Sequence, residues 1–263
     1  MLAIDLSGKI ALVLGGSRGI GASIVEIMCR AGAHVTFTHT GNPAHEARVA
    51  ELLARARATE DEAGGEARAE VADARDSAAT AAVADRLASK NGGIDVLVCN
   101  AGMNAARPIE EVSNAAWTEG IELNLGTAFY GVRATLPHML RRGRGRIILI
   151  GSSAVIDGGG GAIDYAAAKA GMTGMMTYLC RAYAKRGILT NIVHPCVIET
   201  DLLEARYAGE EAKSRLAAQI PVGRLGAPQD IAGLVAFLAS SWGDYICGQE
   251  ILADGGRTLY GGR

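Results

Sequence analysis

Aromatic residues are scarce, at 5% of 263 positions, and there are only six prolines. A core of this size must therefore be built from Ala, Val, Ile and Leu. No apolar run approaches the ~18 residues needed to span a bilayer. The opening Met1-Leu2-Ala3-Ile4-Asp5 carries an acid where a secretory leader wants a basic stretch. Basic residues are in no surplus, with 26 Lys and Arg against 28 Asp and Glu, so nucleic acid and anionic lipid are not expected as partners. The one basic cluster, Arg141-Arg142-Gly143-Arg144-Gly145-Arg146, reads as a solvated turn between a helix and a strand. The five cysteines (Cys29, Cys99, Cys180, Cys196, Cys247) are odd in number and scattered, with no C-x-x-C pair. Neither a metal site nor a disulfide framework is indicated, and a reduced, cytoplasmic protein is expected.

What is present is an alternation. Short β-branched runs, at 9–14, 34–38, 67–71, 96–99, 146–150, 189–193 and 250–253, read as strands. Ala-rich stretches at 20–31, 44–63, 77–90, 115–140, 165–185 and 231–239 read as helices. Strands that are apolar throughout and separated by helices predict a parallel sheet covered on both faces. The expectation is α/β: a doubly wound parallel sheet of about seven strands, with residues 1–263 as a single domain. The polar stretch 201–219 breaks the rhythm after the sixth strand, where segments line the ligand crevice of such sheets, and reads as a substrate-side lid. A solvated pair of surface helices is the alternative.

Four glycines fall within Gly15-Gly16-Ser17-Arg18-Gly19-Ile20-Gly21, directly between the first strand and the first helix. Such a turn lets the backbone approach a pyrophosphate, and the helix N-terminus offers free N–H donors. The second strand ends Phe37-Thr38-His39-Thr40, without the acid that would accept ribose hydroxyls and repel a 2′-phosphate. With Arg18 available in the loop, that absence favours NADP(H), NAD(H) being the alternative.

Tyr165 and Lys169 stand four residues apart, on one face of a helix. A cation at about 4 Å is worth roughly 4 kcal/mol at an effective dielectric of 20, enough to draw a phenol towards neutral pH. Ser152 lies just past the fifth strand, where a hydroxyl can polarise a carbonyl. Asn124 sits in an otherwise buried pattern, Ile121-Glu122-Leu123-Asn124-Leu125; a buried amide needs partners, either in the core or in a water relay.

Together these motifs resemble the short-chain dehydrogenase/reductase family in its compact single-domain form. Matching residues run from the glycine loop through Asp73, Cys99-Asn100-Ala101-Gly102, Asn124, Ser152, Tyr165, Lys169, Asn191, Pro195 and Thr200 to Asp254-Gly255-Gly256. The resemblance implies a Rossmann-like domain and four catalytic residues. Tyr165 would be the general acid/base and Ser152 the polarising hydroxyl. Lys169 would lower the Tyr165 pKa and hold the nicotinamide ribose, and Asn124 would hold a relay water. It implies cofactor contacts from Gly15, Ser17, Arg18, Gly19, Ile20 and Gly21, from His39 and Thr40, and from Asp73 (to the adenine amino group) and Ala74. Asn100, Ala101, Gly102, Pro195, Val197, Ile198 and Thr200 (to the carboxamide) would complete that set with Tyr165 and Lys169. The departures are Leu14 for the family's usual Thr, Cys99 for the first Asn of N-N-A-G, and Cys196 for the Gly after Pro195.

The tail from Pro221 to Gly256 is similar to the subgroup containing 3-oxoacyl-[acyl-carrier-protein] reductases, which also holds sugar and polyol dehydrogenases. The implied reaction is hydride transfer between NADP(H) and a ketone or secondary alcohol. An acyl-carrier-protein or CoA thioester is the specialised substrate, and an NAD(H)-dependent sugar or polyol dehydrogenase the alternative. A non-catalytic dinucleotide sensor or scaffold is the reading from another class. Substrate-side candidates are Met103, Asn104, Ile156, Gly159 within the Gly158–Gly161 run, Cys196 and Tyr207. Arg206, Lys213 and Arg215 could meet an acidic carrier protein, although Glu204, Glu210 and Glu211 interleave them. The resemblance also implies a homotetramer paired through the two long helices, with Gly171, Gly174, Met172, Met175 and Met176 suited to close packing.

Overall fold

Strand β1 (Ile10–Leu14) is buried at every position. Ala11 and Val13 enter one apolar cluster, while Ile10, Leu12 and Leu14 enter another on the opposite face. Both faces of the sheet are therefore covered, which explains the apolar runs. A computed structural model describes residues 4–57, 64–201, 203, 207 and 209–260. After β1 come α1 (Gly19–Arg30), β2 (His34–His39), α2 (Glu46–Arg57), β3 (Glu66–Val71), α3 (Ser77–Asn91) and β4 (Val96–Cys99). The expected helix 44–63 is thus α2 preceded by a 3-10 turn at Pro43–His45, and its segment 58–63 lies outside the described residues.

The second half holds α4 (Asn114–Ile121), α5 (Thr127–Arg142), β5 (Gly145–Ile150), α6 (Ile163–Tyr183), β6 (Ile188–Pro195), α7 (Glu210–Ala217), α8 (Pro228–Ala239) and β7 (Glu250–Ala253). The seven strands run parallel in the order β3-β2-β1-β4-β5-β6-β7. The doubly wound Rossmann-like sheet expected from the sequence is present. Helices α1, α2 and α8 bury Ile24, Val25, Met28, Leu52, Ile231 and Val235 on one face. Helices α3, α5 and α6 bury Val83, Leu87, Val132, Met139, Met172 and Met176 on the other. Each such side chain contributes about 1.5–3 kcal/mol of burial.

Local chemistry sets the helix ends. The Asp76 carboxylate accepts from the N–H groups of Ala78 and Ala79 at the start of α3, and Gly92 ends it in the left-handed region. The arginine-rich turn does join α5 to β5, but it is not merely solvated. Arg144 Nε lies 2.9 Å and Arg142 Nη2 3.4 Å from Oδ1 of the buried Asp95, whose Oδ2 accepts from Ile10 N–H at 3.0 Å. Arg146 pairs with Asp244. A carboxylate buried under two strands needs such partners.

Of the residues expected between subunits, Met172 and Met176 are buried within the chain, and a Cβ on Gly171 would lie 2.8 Å from Leu125 Cδ2. Only Gly174 faces open space. Among the described residues no helix is long and apolar enough to cross a membrane, and no His/Cys/Asp/Glu group could hold a metal ion. All five cysteines are free thiols.

Candidate active site

The strand order reverses between β1 and β4, and at their carboxyl ends lies a crevice of about 440 Å³. The glycine loop forms its floor. Gly15 has φ +78°, and a Cβ on Gly21 would stand 2.2 Å from the Gly15 carbonyl oxygen and 2.6 Å from Asn100 Nδ2. Asn100 Nδ2 donates to that same carbonyl at 2.7 Å, tying the loop to β4. The hydroxyl missing at Leu14 is supplied from β2, where Thr38 Oγ1 accepts from Gly15 N–H at 3.2 Å. Arg18 stands at the N-cap of α1 without a capping hydrogen bond, so the first-turn N–H groups remain free for an anion.

At the far end, Arg18, His39 and Thr40 line the crevice with His45 and Arg75, which the sequence reading had not singled out. Burial holds the His39 pKa below its ordinary value, against the opposing pull of Glu46. His45 Nδ1 is buried without a partner. Asp73 lines the crevice too, but its carboxylate already accepts from Arg75, with Nη2 at 2.7 Å and Nε at 3.1 Å. Those Arg75 hydrogen bonds keep Asp73 below the usual carboxylate range, and the expected adenine contact would have to share it.

Ser152, Tyr165 and Lys169 meet in the same crevice, brought there by the end of β5 and the first turns of α6. The electrostatics differ from expectation. Burial raises the Tyr165 pKa above its ordinary value, and only the Ser152 hydroxyl works against it. Lys169 Nζ lies 5.7 Å from the Tyr165 ring centroid and donates to Ile150 O at 2.7 Å. Burial brings Lys169 itself down to about 8, with Cys99 opposing weakly, while burial pushes the Cys99 thiol up to about 12. The expected lowering of Tyr165 by Lys169 is not among the effects acting on it: burial dominates, and Ser152 alone opposes it.

Between α4 and α5 the helix widens into a π turn, Glu122–Gly126, a form that recurs at functional sites. Asn124 sits in it, fully buried. Its Nδ2 donates to Met103 O at 2.9 Å and Gly120 O at 3.0 Å, and its Oδ1 accepts from Met103 N–H at 3.0 Å. The direct contacts are main-chain ones, the core use of a buried amide, and they fix the floor beside Lys169. Sequence reading also passed over His194 on β6. Ser152 N–H donates to its Nδ1 at 3.0 Å, and its Nε2 lies 2.8 Å from Glu250 Oε2 on β7.

Gly15, Ser17, Gly19, Ile20, Ala74, Asn100, Ala101, Gly102, Pro195 and Thr200 line the crevice as expected. Val197 and Ile198, expected among them, do not line it. Val197 is the one non-glycine residue at positive φ among the described residues, and Ile198 bridges to Gly226. On the substrate side, Met103 and Asn104 line the crevice, and Asn104 Nδ2 donates to Gly160 O at 3.1 Å. Ile156 and Gly159, expected there too, do not line it: Ile156 is exposed, and Gly159 N–H donates to Asp157 Oδ1 at 2.8 Å. Cys196 is buried, with Arg257 Nη1 3.5 Å from its sulfur.

In the expected lid, Leu203 and Tyr207 pack on a small cluster of Leu216, Ile220 and Leu225. Residues 202, 204–206 and 208, and with them Arg206 and Glu204, lie outside the described residues. Arg215 pairs with Glu211 at 3.4 Å and Lys213 with Glu210 at 3.9 Å along α7.

Comparison with known proteins agrees with this geometry. The family model described as Enoyl-(Acyl carrier protein) reductase matches residues 15–258. The chain is 37% identical to the 3-oxoacyl-[acyl-carrier-protein] reductase of Escherichia coli over 256 residues, covering 97% of this chain and 100% of that protein. It is 36% identical to 3beta-hydroxysteroid dehydrogenase 1 of Eggerthella lenta over 259 residues, 98% of this chain and 97% of that one. Among solved structures, a short-chain dehydrogenase/reductase from Serratia marcescens superposes with a TM-score of 0.85 at 33% identity, covering 97% and 99% of the two chains. A blue fluorescent protein from a metagenomic library, in complex with NADPH, gives 0.86 at 37% identity, covering 96% and 99%. With its sheet, glycine loop and Ser-Tyr-Lys cluster, the chain belongs to the short-chain dehydrogenase/reductase family of NAD(P)-dependent oxidoreductases acting on carbonyl and alcohol groups.

Proposed function

We propose that this chain reduces a ketone to a secondary alcohol with NADPH, and that 3-oxoacyl thioesters of acyl-carrier protein or CoA are its specialised substrates. The observation that carries the reading is the meeting of Ser152, Tyr165 and Lys169 in one crevice with the glycine loop. A raised Tyr165 pKa suits reduction, because the phenol is then held protonated as an acid for the carbonyl oxygen. The dinucleotide supplies the hydride. Ser152 Oγ hydrogen-bonds the oxygen as negative charge develops, and Tyr165 delivers the proton. Lys169 has N–H groups beyond the one spent on Ile150, and these hold ribose hydroxyls. Asn124 keeps the Met103 backbone in place beside them.

The crevice fits a dinucleotide: at Gly15, Gly19 and Gly21 any Cβ would crowd its floor. NADPH is favoured over NADH by Arg18 and by the lack of an acid beside His39 and Thr40. The similarity to an acyl-carrier-protein reductase and to an NADPH-bound structure supports both readings. The steroid dehydrogenase relative favours a second reading, a bulky secondary alcohol as substrate. A single-domain, cytoplasmic homotetramer is part of the proposal, with exposed Trp117, Phe129 and Tyr178 on α4, α5 and α6 as the apolar surface it would cover. The deciding experiment scans ketones, acyl thioesters and secondary alcohols with NADPH and NADH side by side. Faster turnover of 3-oxoacyl thioesters with NADPH supports the reading, and inertness of the whole panel refutes it. A stable monomer by mass measurement would refute the tetramer.

A further inference from the structure

We propose that Cys180 and Cys247 form a redox-active dithiol, a modification site that a peroxide closes to a disulfide and a small thiol reopens. Their sulfurs lie 3.4 Å apart although 67 positions separate them in the chain. Cys180 stands in the last turn of α6, and Cys247 in the segment between α8 and β7. Neither lines the crevice, so the pair is independent of the carbonyl chemistry proposed there.

Backbone holds the contact from both sides. On β6, Asn191 Nδ2 donates to Ile246 O at 2.8 Å, and Asn191 Oδ1 accepts from Gln249 N–H at 3.0 Å. Gly248 N–H donates to Thr190 O at 2.8 Å. The residues flanking Cys247 are thus fixed to the strand. Thr190 O also accepts from the Cys180 thiol at 3.4 Å, so both cysteines converge on one point of β6. Next to Cys180, Leu179 anchors α6 in the core. A disulfide spans about 2.05 Å, and the remaining approach falls to side-chain rotation between two thiols already in contact.

Access selects the same pair. Cys29, Cys99 and Cys196 are buried, whereas Cys180 and Cys247 are both partly exposed. Burial, the hydrogen bond with Cys247 and charge at Cys247 push the Cys180 thiol up to about 12, against the main-chain groups of Thr190 and Gly248. Cys180 therefore keeps its proton, which leaves Cys247 as the attacking sulfur. Cys247 Sγ takes one oxygen from hydrogen peroxide; the O–O bond breaks, one water leaves and a sulfenic acid forms. Cys180 Sγ then attacks that sulfur, the S–O bond breaks, and the hydroxyl departs with the Cys180 proton as a second water. Two thiols have given up two electrons and two protons to one peroxide. In a reducing compartment such a pair rests as thiols and closes only under an oxidant.

The test treats the full chain with excess hydrogen peroxide, blocks remaining thiols with N-ethylmaleimide, and maps the products by mass spectrometry. Wild type should lose about 2 Da and two alkylatable thiols, both in one Cys180–Cys247 cross-linked peptide, and dithiothreitol should restore them. The melting temperature should rise by several degrees on bridging and fall back on reduction, because a long loop is closed. In Cys180→Ser the sulfenic acid at Cys247 has no resolving partner and should accumulate; in Cys247→Ser no cross-link should form. Reduced variants melting close to wild type are the control for folding. Retention of both thiols in wild type, a cross-link between other cysteines, or oxidation of Cys247 to a sulfinic acid without bridging overturns the proposal. A lower melting temperature in the bridged protein would mark a bond forced on the fold and overturn it as well.

Discussion

The Ser152 main-chain N–H donates to His194 Nδ1 at 3.0 Å, and this bond sets the tautomer of the imidazole. With Nδ1 accepting, the proton resides on Nε2, where Glu250 Oε2 receives it at 2.8 Å. The loop carrying Ser152 is thereby pinned to β6 and β7. Replacing His194 with Ala leaves a buried donor unmade, a cost of about 1–3 kcal/mol. The expected outcome is a fall of about tenfold in kcat with NADPH affinity unchanged, and partial recovery in His194→Asn, whose amide oxygen can accept in place of Nδ1. Stopped-flow turnover and fluorescence titration would check this, and a wild-type kcat in the Ala variant would disprove the pinning.

Burial raises the Tyr165 pKa, so the phenol stays protonated through neutral pH, and in the proposed reaction it would act as an acid without prior ionisation. Carbonyl reduction should therefore be flat or decline only at high pH, whereas alcohol oxidation, which needs the base form, should climb as pH rises. Tyr165→Phe should lower both by at least about 10²–10⁴-fold while still binding NADPH. Parallel pH profiles of the two directions, with cofactor titration of the variant, would decide the point; identical profiles would contradict it.

Lys169 has a folded-state pKa near 8, below its ordinary 10.5, because burial disfavours the ammonium. Below pH 8 both folded and unfolded chains carry the proton, and the full desolvation cost is present. Between about 8 and 10.5 the unfolded chain holds more protons, so stability is gained as pH rises through this window. The whole effect is about 3 kcal/mol at most. Lys169→Met lacks it, so the melting-temperature difference between the two proteins should shift in favour of wild type from pH 8 to pH 10. A pH-independent difference in calorimetry would show the burial cost to be absent.

Arg18 lines the crevice together with Thr40 and His39. Its replacement by Ala should weaken NADPH about tenfold or more through loss of a charge-assisted contact, with little change in NADH. Thr40→Glu should weaken NADPH by repulsion. Dissociation constants for both cofactors would test this, and equal losses for NADPH and NADH would refute it.

The sheet was legible because its central strands are apolar at every position, as Ala11 to Leu14 and Val96 to Cys99 illustrate. Even the half-exposed edge strand β3 was found, one residue short. The crevice was legible because glycine spacing and a Tyr-x-x-x-Lys pair are local patterns. What escaped were partners distant in sequence. Nothing near Asp73 predicts that Arg75 folds back on it, since such pairs on the surface are usually inert. His194 and Glu250 stand 56 positions apart, joined only by the register of β6 with β7. The bond from Lys169 to Ile150 O escaped too, because helical spacing fixes a shared face but not where a flexible four-carbon stem ends.

The widened turn at Glu122–Gly126 also constrains how this chain can vary in length. Each residue advances a helix by about 100°. A regular helix would swing by that angle on gaining or losing a residue, but the widened turn takes up one extra residue within itself, so Val132 and Met139 keep their places against the sheet. Losing one position there would close the turn to a regular helix and leave that packing in place, while Asn124 would let go of Met103. A single deletion here would therefore spare the core and cost the active centre.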